Sequence, residues 1–298
     1  MALPLVVIVR GRGVCPRRGD IAAPVLARMY DRGISLLTEQ ADSSAGIRAL
    51  FSPSDRVGVK INTIAGQELT SLPDVTIPFA RLFLRIGIPE KNVMIWDRTN
   101  RELKAAGYSL NAAGSGLRIL GTDTAGAGYG SEPVVHGGIG SLFSTLLTDR
   151  VTASVSFAVL KDHGLAGVTA GLKNYFGAIH NPNKYHDQNC DPFVAELFDT
   201  PPLKTRHRLT VLDALVVQYH RGPSYHARWA ETAGTLIFAT DPVAADAVGW
   251  RLIERLRKAK GLPTLAEEDR LPRYILSAER LGLGRVTEAD IRILEDEV

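Results

Sequence analysis

The chain has 298 residues, 45% of them hydrophobic, and 35 basic against 32 acidic side chains for a formal charge of +3. That is enough apolar content for one large core or two closely packed lobes and excludes a globally disordered chain, while the near balance of charge argues against a dedicated nucleic-acid binder. With only two cysteines, Cys15 and Cys190, the chain can build neither a disulfide framework nor an all-cysteine zinc or iron–sulfur site, which suits a reducing cytoplasm.

Residues 1–11 hold a short apolar run with no charged stretch before it. It is far too short to span a bilayer and reads as the first buried strand. Arg17-Arg18 is followed by Gly19-Asp20 instead of the long apolar segment that a twin-arginine export signal needs. No membrane association is expected. A helix is predicted over residues 21–40, where Val25, Met29, Ile34 and Leu37 fall near one face, and another over 74–86, opened by Pro73-Asp74. The apolar runs 5–9, 57–61, 93–96, 153–160, 209–217 and 235–239 are short, rich in β-branched residues and bounded by Gly, Pro or Asp. Continuous runs of that kind suit strands buried on both faces. The glycine-dense stretch 114–140 is expected to interrupt regular structure and to form a lid or a surface excursion. A last helix is predicted from Pro242 to residue 258, with Asp241 capping it and Pro242 in its first turn. The fold class is therefore α/β: a mixed, largely parallel sheet flanked by helices. It is expected as one domain over residues 1–298, with a lobe boundary near residue 150 as the alternative, and with its functional groups beyond the strands' carboxyl ends.

The informative segment is 160–177, which places Lys161, His163 and Lys173 around a glycine-rich turn after a strand. Backbone amides at such a turn, with the two lysines, would receive a carboxylate or phosphate; the plainer alternative is solvated lysines and glycines that only turn the chain. Downstream lie His180, His186 and Cys190. If residues 185–197 are helical, His186 and Cys190 share a face, and with His163 or His180 they could ligate a transition metal such as iron or zinc with one position open for water or substrate. Against this stand ordinary loop hydrogen bonds for the histidines and a small buried hydrophobe at Cys190. A further alternative is a Cys190 nucleophile activated by His186 or His180. Two other strand ends offer Lys60 with Asn62 and Asp97 with Arg98. Lys60 either reaches the cleft or snorkels to the sheet edge, and Asp97 either serves the site or caps the segment that begins at Thr99. Asp246, set among apolar residues, needs a cation or hydrogen-bond donors.

These motifs, among them Val59-Lys60-Ile61-Asn62, Trp96-Asp97-Arg98, Lys161-Asp162-His163, Gly167 through Asn174, Asn189-Cys190-Asp191-Pro192, Arg221-Gly222-Pro223 and Asp241 through Ala247, resemble the successive motifs of the family catalogued as domain of unknown function 362. The resemblance spans nearly the whole chain but implies no specific activity. Some members carry ferredoxin-like cluster domains or twin-arginine signals, and this chain departs from both patterns. A more distant similarity is to the lactate racemase catalytic protein, where lysine and histidine surround a metal-containing cofactor; likeness of fold does not transfer function. The expectation is an enzyme acting on a small anionic metabolite, as a metal-dependent oxidoreductase, lyase or epimerase. Catalysis is expected of Lys161, His163, Lys173 and Asp97, and ligand binding of Lys60, Asn62, Arg98, Thr169 and Asn174. A metal would fall to His163, His180, His186 and Cys190. The alternative is a non-catalytic cofactor- or metal-binding accessory protein for a redox partner, and self-association into a homo-oligomer is open in either case.

Overall fold

The structure, a computed structural model, describes residues 3–15 and 20–298; Arg17-Arg18 lies outside the described residues. Its main sheet has nine strands in the order β11-β1-β10-β9-β7-β2-β3-β4, with β8 paired to β7 alone. In chain order the strands are β1 (Leu5–Arg10), β2 (Val57–Lys60), β3 (Val93–Asp97), β4 (Arg118–Gly121), β5 (Val134–His136), β6 (Ile139–Ser141), β7 (Ala153–His163), β8 (Gly167–Thr169), β9 (His207–Gln218), β10 (Ala230–Ala239) and β11 (Arg292–Glu297). β7, β2, β3 and β4 pair in parallel, as do β7 with β9 and β1 with β11; β1–β10, β10–β9 and β7–β8 are antiparallel. The sheet is thus mixed and mostly parallel.

Continuous apolar runs make strands with two buried faces, and two separate hydrophobic clusters cover the sheet accordingly. One holds Ala158, Leu160, Leu212 and Ile237, the other Val57, Val59, Val155 and Phe157. Every residue of β2, β3 and β7 is buried. The predicted helices form at Ala23–Thr38 and Pro242–Ala259, the latter capped by Asp241, whose carboxylate accepts the amides of Val243 and Ala244 at 2.9 Å each. The helix expected over 74–86 is α-helical only at Pro73–Arg81 and tightens to a 3-10 helix at Leu82–Ile86. No described helix is long and apolar enough to cross a membrane.

Two expectations need correction. The glycine-dense stretch contains β4 and much of the β5–β6 hairpin, because its glycines fall at turns between the strands as well as within them. Residues 185–197 are not one helix. A 3-10 segment Pro182–Cys190 kinks at Asp187, where ψ reaches 159°, and the helix restarts only at Phe193–Phe198.

From β2 the chain moves outward to β3 and β4, then returns to the other side of β2 as β7 and continues to β9. The gap between β2 and β7 is therefore the point at which strand order reverses, and crevices open beyond the carboxyl ends of such neighbours. β7 also outruns β2, pairing with it only from Ala153 to Ser156 and then extending into a hairpin with β8.

Candidate functional site

At the carboxyl end of β2, Lys60 is 1% exposed and surrounded by acceptors. Its Nζ donates to the Ile61 carbonyl and to Asp97 Oδ1, both at 2.7 Å, and to Asn174 Oδ1 at 3.3 Å. Asp97, at the end of β3, also accepts the Thr63 amide at 2.8 Å, the Thr63 hydroxyl at 2.7 Å and the Arg98 amide at 2.8 Å. The Asn174 side-chain amide donates back to the Lys60 carbonyl at 2.8 Å and to Ser156 Oγ at 3.0 Å. Three ammonium protons meet three acceptors, so Lys60 neither snorkels nor has a donor left for a ligand. Lys60 and Asn174, which the sequence offered as ligand-binding residues, line the cavity and fasten β2, β3 and the helix Gly171–Asn174 into one floor. Asp97 is no helix cap; Thr99 fills that place through the Glu102 amide. The same floor explains Gly177, where a Cβ would stand 2.7 Å from Lys60 Nζ and 3.1 Å from Asp97 Oδ1. Gly177→Ala should lower stability by about 1–3 kcal/mol, read as a fall in melting temperature.

On the β7–β8 hairpin, Lys161 and His163 share one face because they are two residues apart, and Lys161 pairs across with Thr169. Asp162 points the other way and is wholly buried. Its carboxylate accepts from Arg270 Nη1 at 2.8 Å and from the Gly222 amide at 2.7 Å, with Arg257 at 3.7 Å and Glu268 completing a buried ionic cluster through both arginines. The hairpin turns at Gly167, whose φ is +76° and where a Cβ would lie 2.2 Å from the Arg270 carbonyl. Only glycine fits there.

Several amides of this segment are already occupied. Asp246 takes the Gly171 amide at 2.7 Å and the Leu172 amide at 3.1 Å, which supplies the donors its apolar setting requires. His163 Nδ1 accepts the amides of Leu165 at 3.2 Å and Ala166 at 3.1 Å. Those four amides are turned away from an anion, and the side chains around the cavity offer the more direct donors. Burial pushes the Asp246 carboxyl up to about 8, although its two amide donors and nearby Asp241 pull in opposite directions.

Lys173 Nζ lies 3.1 Å from His186 Nε2 and 4.5 Å from the centre of the Phe176 ring. His186 Nδ1 is 3.0 Å from the Pro182 carbonyl, which can only accept. The imidazole therefore carries its proton on Nδ1 and takes a proton donor from Lys173 on Nε2. Its ring stacks on His163 at 5.6 Å. Since His163 accepts at Nδ1, its proton is on Nε2. Burial first, and then the neighbouring Lys173 ammonium, press the His163 pKa down to about 2, so this ring is a neutral donor. His186 is lowered for the same reasons. Burial also brings Lys161 to about 8, helped by Lys173, and Lys173 to about 8 against the pull of Cys190.

Cys190 is buried and hydrogen-bonded to Lys173, reached through three successive left-handed residues, Gln188, Asn189 and Cys190, at φ 49°, 58° and 65°. Each such non-glycine residue costs about 1 kcal/mol or more. Burial raises the thiol pKa despite that ammonium, and its partner is a lysine rather than the histidine of the nucleophile alternative. His180 stands apart, exposed, with Nδ1 3.2 Å from the Leu142 amide and from Ser141 Oγ. Among the described residues no three His, Cys, Asp or Glu side chains are grouped so that they could hold a metal ion. Iron or zinc does not fit the donor set either: the free nitrogen of His186 already meets an ammonium, and a second buried ammonium lies beside His163.

A cavity of about 170 Å³ joins these groups, lined by Asn62, Arg98, Lys161, His163, Thr169 and Lys173 among others. Lys60 and Asp97 neutralise each other, and Glu102 offsets one cation, which leaves the lining two positive charges in excess. Two of its polar atoms are buried without any hydrogen-bond partner among the described residues: Lys161 Nζ and Asn62 Oδ1. Sequence reasoning missed Glu102, Phe176 and Gly177 in this lining, and Arg257 and Arg270 behind it. Only Asp162 could have signalled the arginines, since alternation along β7 sends it to the face opposite Lys161.

A larger hollow of about 590 Å³ is lined by Cys15, Ile21, Thr70, Asp74 and Asp213 among others. Burial pushes the Asp213 pKa up to about 7, but no cation or imidazole is among the described residues there. Residues 16–19, between two of its lining residues, lie outside the described residues.

The family described as Domain of unknown function (DUF362) matches residues 57–251. No curated protein matches the chain. A solved structure of a Thermotoga maritima protein is similar at 13% identity with a TM-score of 0.42, covering 83% of this chain and 61% of that one. The chain thus spans about three-fifths of that protein's length.

Proposed function

This chain belongs to the family described as Domain of unknown function (DUF362), and from that footing we propose that it is an enzyme that binds a small carboxylate or similar oxyanion between Lys161 and Lys173 and moves a proton on it. The observation that carries this is the Lys161 ammonium, buried at the cavity with no hydrogen-bond partner among the described residues. An unpaired buried cation is costly, and a bound anion is the group that would relieve it. Proton transfer is supported by two lysines at about 8, close enough to the working range to exist in both charge states, and by a neutral His163 able to donate from Nε2. Both cysteines are free thiols, which suits a reducing compartment.

The charge states set the pH dependence. The lysines are cations below about 8 and lose the proton above it. Affinity for acetate or pyruvate, followed by calorimetry, should hold up to that pH and weaken as it is passed. Exchange of the pyruvate methyl hydrogens, which lie next to its ketone, in D2O at saturating pyruvate needs a neutral lysine and should rise through the same range. Binding without exchange or turnover would leave a non-catalytic binding protein. A flat affinity profile from pH 6 to 10 would remove the lysines from the reading altogether.

A further inference from the structure

Lys161 Nζ and Asn62 Oδ1 differ in what they lack. The ammonium needs an acceptor, and the amide oxygen needs a donor. Both line the same cavity, so one molecule that satisfied both would carry an anionic group together with a hydrogen-bond donor. Two donors are common beside a carboxylate, an ammonium and a hydroxyl. The excess of positive charge in the lining repels the first, leaving the hydroxyl. Size narrows the class further: at about 170 Å³ the cavity is smaller than the roughly 300–1,000 Å³ typical of sites for drug-sized ligands, which favours a short chain.

We propose that the ligand of this site is a short-chain hydroxy acid, its carboxylate on Lys161 and its hydroxyl donating to Asn62 Oδ1. The assignment rests on the oxyanion site proposed above and adds the second recognition element. Asn62 is held for the task from its backbone side, where its carbonyl accepts the Ser71 amide at 3.3 Å and the Thr70 hydroxyl. Its side chain has no other acceptor role, and the neighbouring Lys60 and Asn174 are satisfied by each other. Discrimination follows from the buried acceptor: a ligand of equal size without a hydroxyl leaves Asn62 Oδ1 unpaired, and sites built around a hydrogen bond reject such analogues far more strongly than apolar pockets reject a missing methylene.

The test uses the full chain and matched probes of similar size: propionate, lactate, alanine and malonate, each titrated by calorimetry at pH 7. Lactate should bind about tenfold or more tightly than propionate, and alanine more weakly than either. Asn62→Leu should erase the difference between lactate and propionate, while Lys161→Met should remove binding of both. Equal affinity for lactate and propionate, a preference that survives Asn62→Leu, or malonate outcompeting lactate would overturn the hydroxy-acid assignment and leave the oxyanion site standing. If propionate, lactate and malonate all fail to bind, or bind Lys161→Met as well as the unaltered chain, the oxyanion site itself is wrong.

Discussion

Lys161→Met should abolish binding of small carboxylates and at the same time raise the melting temperature of the unliganded protein. The ammonium is 1% exposed and has no hydrogen-bond partner among the described residues, so its desolvation goes without compensation from them. Relief of an unsatisfied buried polar group is worth about 1–3 kcal/mol, and methionine fills a similar volume with an adaptable thioether. The sign of the pH effect supports this. Burial lowers the Lys161 pKa to about 8 from 10.5, so unfolding takes up a proton where the pH lies between the two values. The unaltered protein's disadvantage is therefore full below about pH 8, fades between 8 and 10.5, and is absent above. Thermal unfolding at pH 7 and pH 10 should show the variant's advantage shrinking with pH. A Lys161→Met protein that melts lower at pH 7 would mean that the ammonium has a stabilising partner within the chain.

Asp97→Ala should do the opposite. Lys60 is as deeply buried as Lys161, but Asp97 shares its charge at 2.7 Å and three further donors hold the carboxylate in place. Removing one member of a buried ion pair leaves the other uncompensated and typically costs about 3–5 kcal/mol, enough to lower the melting temperature of a chain this size by about 5 °C or more. Lys60→Met/Asp97→Leu should recover much of that loss, because a desolvated pair and an apolar pair of similar size come close to equivalence. Denaturant unfolding of the single and double variants measures the coupling. Additive losses would show that the floor beneath the cavity is held by something other than this pair.

The contrast between the two lysines marks what a sequence can and cannot disclose. Val57 to Lys60 and Ala153 onward read as buried strands because their apolar runs are unbroken, and the lysines stand out for the same reason. Which lysine finds a partner depends on β3 lying beside β2 and on where the Gly171–Asn174 helix lands, and both are long-range facts. The turn amides after β7 looked available since their acceptor, Asp246, comes 75 residues later. His186 and Cys190 would share a helical face only if the chain between them were regular; left-handed residues from Gln188 to Cys190 turn the thiol toward Lys173 instead. His180 is near in sequence and distant in role for a similar reason, drawn to Ser141 and Leu142.

The ionic cluster behind the β7–β8 hairpin separates two kinds of boundary. Similarity to the family ends at residue 251, whereas Arg257, Glu268 and Arg270, which anchor Asp162 and through it the strand bearing Lys161 and His163, all come afterwards. β1 and β11, which close one side of the sheet, also fall beyond the matched span. A fragment trimmed to the borders of resemblance would keep most of the cleft's own side chains and discard the scaffolding that aims them. The span that matches the family and the span that braces the cleft are different lengths of chain.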